Sequence, residues 1–141
     1  MNNEARLVDE IGKLRKEVER LKRVESGGVW KTWTPTVTGW ASISASGYRY
    51  VKVGNFVYVM IMIFGVSNST EVLIDLPFTS TAVPYIGVTG YAMDNGTQST
   101  NPCYAVYEST TKIRVYRNTA GAAWTASGNK RIIIQFGYEV A

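Results

Sequence analysis

A repeat of apolar side chains near the start of the chain constrains its fold more than any other feature. Its members recur at spacings of 4, 3, 4 and 3 residues: Leu7, Ile11, Leu14, Val18 and Leu21. This is a heptad repeat with Ile or Val at position a and Leu at position d, and it predicts a coiled-coil helix. A single helix in water cannot shield so narrow a stripe, so we expect the helix to join identical chains.

Charged residues flank this repeat in an order that favours parallel chains. Glu10 and Glu17 fall at position g, and Arg15 and Lys22 fall at the position e that follows. In a parallel coiled coil, each glutamate then faces a basic residue of the neighbouring chain. Ile or Val at a with Leu at d favours two strands by itself. About three heptads are marginally stable alone, so the remaining chain is expected to be one copy of a repeated head.

The composition changes sharply after residue 26. Residues 1–26 hold seven Lys or Arg and six Asp or Glu, whereas residues 27–141 hold eight and five. Two consecutive glycines, Gly27 and Gly28, end the helical pattern. We therefore predict a coiled-coil oligomerisation stem at 1–26, a glycine linker at 27–29 and a head domain at 30–141.

The composition also limits the chemistry that this chain can perform. It has no histidine and a single cysteine, Cys103, so Ser-His, Cys-His and zinc-His schemes are excluded within one chain. The head has five carboxylates: Glu71, Asp75, Asp94, Glu108 and Glu139. A glycosidase needs two of these at a defined separation, and most of them fall at turns or strand ends. We predict no catalytic residues, no metal site, no cofactor and no enzymatic activity.

Charge and hydropathy bear on the possible partners. The formal net charge is +4, but the head has no basic run, so no nucleic-acid partner is predicted. The longest apolar runs fall far short of the roughly 18 residues of a membrane span, so no membrane insertion is predicted either.

From Trp30 onward the period of the apolar residues changes from 3.5 to 2. We count about eight short strands separated by turn signals, with no second helix. The predicted strands are 30–37, 48–53, 56–66, 72–76, 85–93, 103–108, 112–117 and 131–140, and 42–47 is predicted to be a loop. The pattern predicts a mainly β fold, an antiparallel β-sandwich similar to a jelly roll, behind a parallel coiled-coil helix.

The predicted strand at 56–66 is apolar on both faces. One face carries Val57, Val59, Ile61 and Ile63, and the other carries Phe56, Tyr58, Met60, Met62 and Phe64. Antiparallel sheets usually have one polar face. Either a loop or the helix covers the second face, or a neighbouring subunit does. With a coiled coil upstream, we favour a subunit interface formed by Tyr58, Met60 and Met62.

Two tryptophans lie among small and polar residues in loop-like segments. Trp40 and Trp124 could stack on sugar rings or contact a protein partner, or they could close one end of the sandwich. We treat both as candidate ligand-binding residues.

A predicted strand and a polar loop offer further candidate contacts. Lys112, Arg114 and Tyr116 share one strand face, which could bind an anionic glycan or a phosphorylated cell-wall polymer, or simply be solvated. The loop at 94–101 offers amide and hydroxyl groups for saccharide hydroxyls, or it is an ordinary loop.

Four segments resemble the C-terminal head domains of bacteriophage tail fibres and related receptor-binding proteins. They are WTPTVTG at 33–39, YRYVKVGN at 48–55, IDLPF at 74–78 and the last strand, which carries Tyr138. The resemblance covers roughly 30–141, and such heads often follow a coiled-coil stem. Its motifs are structural, so they imply fold and context and assign no binding residue.

The resemblance implies a homotrimeric virion tail protein that is made in the host cytoplasm. Its tip would attach to a host cell-surface polysaccharide, teichoic acid or protein, and its other partners would be virion tail proteins. We expect three chains in the coiled coil, because the heads should override the preference of a short stem for a two-chain coiled coil. Two alternatives stay open: a structural module that only trimerises and caps a fibre, and a polysaccharide depolymerase.

Overall fold

A computed structural model describes residues 2–81 and 88–140, except for the side chains of 23–27. The chain begins with one helix, α1, at Asn3–Gly27. The side-chain oxygen of Asn2 caps it by accepting a hydrogen bond from the Ala5 amide at 2.8 Å, which satisfies one of the free amides of the first turn. The helix ends one residue beyond the predicted stem.

The head consists of β-strands that form one curled antiparallel sheet. The strands are β1 Lys31–Thr32, β2 Val37–Thr38, β3 Trp40–Val53, β4 Phe56–Ser67, β5 Leu73–Asp75, β6 Val88–Asp94, β7 Thr97–Gln98, β8 Cys103–Ser109, β9 Lys112–Tyr116 and β10 Asn129–Glu139. Their order is β1-β3-β4-β10-β6-β8-β9-β5-β2, and β7 pairs with β6 outside this path. A mainly β fold behind one N-terminal helix is thus confirmed.

Curling places one face of the sheet around the hydrophobic core. The centre of the sheet is the long β4–β10 pair, which runs in continuous register from Val66 opposite Asn129 to Phe56 opposite Glu139. The side chains that alternate inward from the two strands are buried, as their period of two predicts: Val57, Val59, Ile61, Ile63, Ile132, Ile134, Phe136, Tyr138 and Val140. Burial of these apolar groups is the main source of stability in such a fold.

The predicted loop at 42–47 was wrong, since these residues belong to β3. Apart from Ile43 its side chains are small, and most of the segment is exposed, so the apolar alternation that marks a strand is missing. The backbone nevertheless pairs with β4, with register shifts between Trp40 and Ser42 and between Ile43 and Ala45. Gly65 of β4 permits this close approach, because a Cβ there would overlap the carbonyl oxygen of Ser42.

Three other predicted segments differ in detail. The strand predicted at 30–37 is two short strands, β1 and β2, with non-strand backbone at 33–36 between them. The strand predicted at 85–93 is described only from Val88, and its first three residues lie outside the described part of the chain. Thr97 and Gln98, predicted to be in a loop, pair with Asp94 and Met93 to form β7.

Candidate functional site

The stem joins the head at one end of its long strands. The rings of Trp30 and Tyr58 are 6.0 Å apart, edge to face, and Lys31 pairs with Tyr50 near the end of β3. Tyr58 lies near the start of β4, whereas Ser67 ends it. At about 3.3 Å per residue, the opposite end of the sheet is about 30 Å away from Tyr58. We call that opposite end the free end.

A polar groove of about 500 Å³ lies at the free end. One wall is the β6–β7 turn and the loop after it, and the other is the segment that follows β9. Its lining residues are Asp94, Asn95, Thr97, Gln98, Ser99, Thr100, Asn101, Arg117, Asn118 and Thr125. We call it the end groove. It contains the loop that the sequence offered as a saccharide contact, and Arg117, Asn118 and Thr125 are additions that the sequence did not suggest.

Asp94 ties the two walls of the end groove together. Its buried carboxylate accepts hydrogen bonds from the amide of Thr125 at 3.1 and 3.2 Å, from the Thr125 hydroxyl at 2.9 Å and from Arg117 Nη1 at 3.3 Å. The turn beside it uses left-handed backbone at Asn95 (φ 49°) and Gly96 (φ 75°), and the Gly96 amide donates to the Asn129 carbonyl at 2.9 Å. The groove is therefore shaped by internal bonds.

The second wall is held in the same way. The Asn118 side-chain oxygen accepts from the amides of Ala120 and Ala122 at 3.0 and 3.2 Å, and the Arg117 amide donates to the Ala122 carbonyl at 2.9 Å. These bonds fix the backbone at 117–122 and leave the Arg117 side chain at the groove.

Lys130 is fully buried between two indole rings, close enough to Asp94 for their charges to interact. Its Nζ is 5.3 Å from the centre of the Trp40 ring and 5.2 Å from that of Trp124, distances at which a cation is attracted to an aromatic face. The ammonium donates to the carbonyl oxygens of Gly39 at 3.2 Å and Ser69 at 3.3 Å. Burial lowers the pKa of Lys130 to about 8, and the nearby Asp94 charge partly opposes this.

Trp40 and Trp124 are thus interior residues. Trp40 is 9% exposed and Trp124 is 2% exposed, and Trp124 Nε1 donates to the Val115 carbonyl at 2.7 Å. Stacking on a sugar needs an exposed ring face, and these rings face Lys130 and the core. We therefore place no ligand on either ring, although sequence analysis treated both as candidates.

The basic residues of β9 are already paired with carboxylates. Arg114 makes a two-pronged contact with Glu108, at 2.7 and 2.9 Å, and a second ion pair with Glu71. The bond to Glu108 raises the pKa of Arg114 and lowers that of Glu108. Lys112 lies 3.6 Å from Asp75. Two positive and three negative charges meet on this face, so it does not favour an anionic ligand.

Tyr116, unlike Lys112 and Arg114, does not contact a carboxylate among the described residues. It is half-exposed at the end of β9, opposite the half-exposed Tyr104 of β8. Tyr116 directly precedes Arg117, and Tyr104 follows Asn101 by three residues. Neither tyrosine is among the residues that line the end groove, and Tyr116 continues the outer strand face that carries Arg114.

Two apolar surfaces are uncovered in the single chain. The seam of α1, which comprises Leu7, Ile11, Leu14, Val18 and Leu21, is 45–65% exposed. The outer face of the sheet carries half-exposed apolar and aromatic side chains from four neighbouring strands: Val51, Tyr58, Met60, Met62, Phe64, Tyr91, Met93 and Ile133. Arg49, Arg131 and Gln135 lie among them. We call this second surface the apolar face. The helix does not cover it, since every described α1 side chain is exposed.

The single thiol of the chain is not available for chemistry at the surface. Cys103 is fully buried, its Sγ donates to the Tyr91 carbonyl at 3.4 Å, and burial raises its pKa to about 11. Within the described ranges, no three or more His, Cys, Asp or Glu side chains group as metal ligands would. Over the same ranges, no helix has the length and apolar character needed to cross a membrane.

Comparison with known proteins gave no relative: no protein-family model matches this chain, and neither does a curated protein or a solved structure.

Proposed function

We propose that this chain is the non-enzymatic, homotrimeric tip of a bacteriophage tail fibre, which attaches to a receptor on the bacterial surface. The observation that carries the proposal is the presence of two uncovered apolar surfaces in the single chain, the seam of α1 and the apolar face. Trp30, at the start of the head, contacts Tyr58 of the apolar face. The same neighbouring copies can therefore cover both surfaces.

Burial of these surfaces supplies the driving force for assembly. A large apolar side chain contributes about 1.5–3 kcal/mol when it passes from full exposure to full burial. The five seam residues, which are 45–65% exposed, each stand to gain about half of that, and the half-exposed side chains of the apolar face each gain a smaller share. We propose that α1 is one strand of a parallel coiled coil and that the curled sheet is a jelly-roll-like sandwich. The apolar face is wider than the heptad seam, so in this proposal it sets the trimeric state.

The position of the end groove supports a receptor-binding role. A parallel stem points all three heads the same way, and the groove lies about 30 Å along the strands from the point where the stem joins. Three identical grooves would then face one surface together. Weak binding at each groove would be multiplied by avidity on a repetitive host polysaccharide or teichoic acid.

The assembly part is tested by light scattering on the full chain and on a truncation that starts at Gly28. A trimer in both is expected. Met62→Glu, which places a charge in the apolar face, should yield monomeric heads in the truncation. Val106→Glu, a matched change on the half-exposed outer face of β8, should leave the trimer intact. A monomeric truncation without substitution would contradict an interface in the head.

The receptor part is tested by binding of labelled full chain to a panel of bacterial cells. Combined alanine substitution of Thr97, Gln98 and Asn101, whose side chains line the groove, should abolish binding and leave the trimer unchanged. If the variant binds cells as well as the unsubstituted chain, the groove is not the receptor site. If the unsubstituted trimer binds no strain, the alternative gains: a module that only trimerises and caps a fibre, which the two apolar surfaces alone would support.

A further inference from the structure

We infer that the end groove recognises a glycan that carries an anionic group, with the Arg117 guanidinium contacting that group and the side chains of Thr97, Gln98 and Asn101 contacting sugar hydroxyls. The inference rests on the proposed function and specifies the class of receptor. It moves the anionic-glycan contact from Lys112 and Arg114, where the sequence suggested it, to the free end of the head.

The charges at the groove favour an anion. Among the described residues that line the groove, one has a carboxylate, Asp94. Its oxygens already accept four hydrogen bonds from Thr125 and Arg117. Arg117 donates one hydrogen bond to Asp94, at 3.3 Å, and a guanidinium has five N–H donors. Its side chain is 40% exposed, so the other donors can reach a ligand.

Lys130 adds a second positive charge near Asp94, with which its charge interacts. With Asp94 negative and both Arg117 and Lys130 protonated, this cluster carries a net charge of +1. Charges that are partly shielded from water are screened less by salt than surface charges. An anion entering the groove therefore meets uncompensated positive charge, unlike one approaching Arg114, which contacts two carboxylates.

The uncharged groups of the groove match the remainder of a glycan. The exposed side chains of Thr97, Gln98 and Asn101 make no hydrogen bond with any described residue, so their hydroxyl and amide groups are available to sugar hydroxyls. Because internal bonds already order both walls, a ligand loses little binding energy to ordering the protein.

Two polymers offer the required chemistry, namely a polyhydroxylated chain with repeated negative charge. One carries uronic acid carboxylates, and the other is a poly(glycerol phosphate) of the teichoic acid type. Arginine binds both anions through paired N–H groups. The geometry assigns the shared chemistry, and separate probes distinguish the two sources.

The test is a titration of the full-length protein, followed by the amide resonances of Thr97, Gln98, Asn101 and Tyr104. The probes are glucuronate, glycerol 3-phosphate, glucose and acetate. We expect saturable shifts with at least one of the two anionic polyol probes, at dissociation constants on the order of millimolar. Glucose and acetate should each bind at least about tenfold more weakly. Glucose lacks the anionic group that would contact Arg117, and acetate lacks the hydroxyl groups that would contact the rest of the groove.

Variants separate charge from structure. Arg117→Gln keeps a hydrogen-bond donor near Asp94 and removes the positive charge. We expect it to lower the affinity for the anionic probe by about tenfold. Arg117→Lys should retain part of the affinity. Lys112→Gln, the same change of charge on a residue paired with Asp75, should leave affinity within about twofold.

Each outcome decides the inference. Absence of saturable shifts with both anionic polyols overturns it, and so does unchanged affinity in Arg117→Gln. Acetate binding as tightly as glucuronate identifies an anion site without glycan recognition and also overturns it. Equal binding of glucose and glucuronate in the groove rejects the anionic class but leaves the receptor-binding proposal intact. That proposal fails separately, if the groove variant binds bacterial cells normally.

Discussion

Lys130→Met tests whether burial between Trp40 and Trp124 lowers the pKa of Lys130. Methionine has a similar length and keeps the space between the rings filled, but it cannot titrate. The Lys130 pKa is about 8 in the folded chain and 10.5 when unperturbed. Between these values the unfolded chain binds more protons than the folded chain, so the free energy of unfolding must rise with pH.

The magnitude follows from the two pKa values. From pH 7 to pH 9 the Lys130 term adds about 1.3 kcal/mol to the free energy of unfolding, because the folded amine can lose its proton and the unfolded one cannot. Cys103, whose pKa burial raises to about 11, acts in the opposite direction above pH 8. It does so in both proteins, so its effect cancels in the difference between them.

The assay is guanidinium unfolding at pH 7, 8 and 9, at one fixed protein concentration. The difference in stability between the unsubstituted protein and Lys130→Met should change by about 1.3 kcal/mol over this range. Lys130→Ala also removes about three methylene groups, so it should be less stable than Lys130→Met by roughly 2 kcal/mol or more. Parallel pH profiles for the unsubstituted protein and Lys130→Met would refute the argument that burial depresses the lysine pKa.

Three further substitutions test other parts of the fold. Gly90→Ala should lower the free energy of unfolding by about 1–3 kcal/mol, because a Cβ there overlaps the Ile133 carbonyl oxygen of β10; a stability equal to that of the unsubstituted protein would contradict the β6–β10 packing. Trp124→Phe removes the bond to the Val115 carbonyl and should cost about 1–3 kcal/mol in the same assay, with the leftover carbonyl buried. Gly12→Ala lies at heptad position b with nothing near its Cβ, so it should stabilise the stem by up to about 1 kcal/mol. Circular dichroism of the 1–28 peptide would show this as increased helicity, and a change in its native mass would argue against the heptad assignment.

Local patterns in the sequence predicted the elements of this fold well. The heptad repeat predicted α1, and alternation predicted which residues of β4 and β10 are buried. Both signals depend only on the geometry of the element itself, 3.6 residues per turn or two per repeat. The prediction failed at 42–47, where backbone pairing to β4 does not require apolar side chains and no alternation records it.

The candidate site was predicted only in part, because its chemistry depends on contacts between distant residues. The loop at 94–101 was recognised by its amides and hydroxyls, but Arg117 and Thr125 reach it only through the fold. The basic character of Arg114 was visible in the sequence, whereas its partner Glu71 is 43 positions away. Alternation puts Lys130 in phase with the inward Ile132, but it does not show that two tryptophans from distant segments will enclose the charge.

By itself, the sequence determined the division into a heptad helix and a β-rich head, the inward faces of the main strands and the narrow inventory of reactive groups. These properties depend on side-chain type and spacing along the chain. Only the tertiary structure decided which charges are free and which rings are exposed. Two tryptophans enclose Lys130, carboxylates pair with the basic side chains of β9, and Arg117 keeps unused hydrogen-bond donors at the free end. Burial and charge pairing are set by neighbours in space, so the order of residues along the chain does not reveal them.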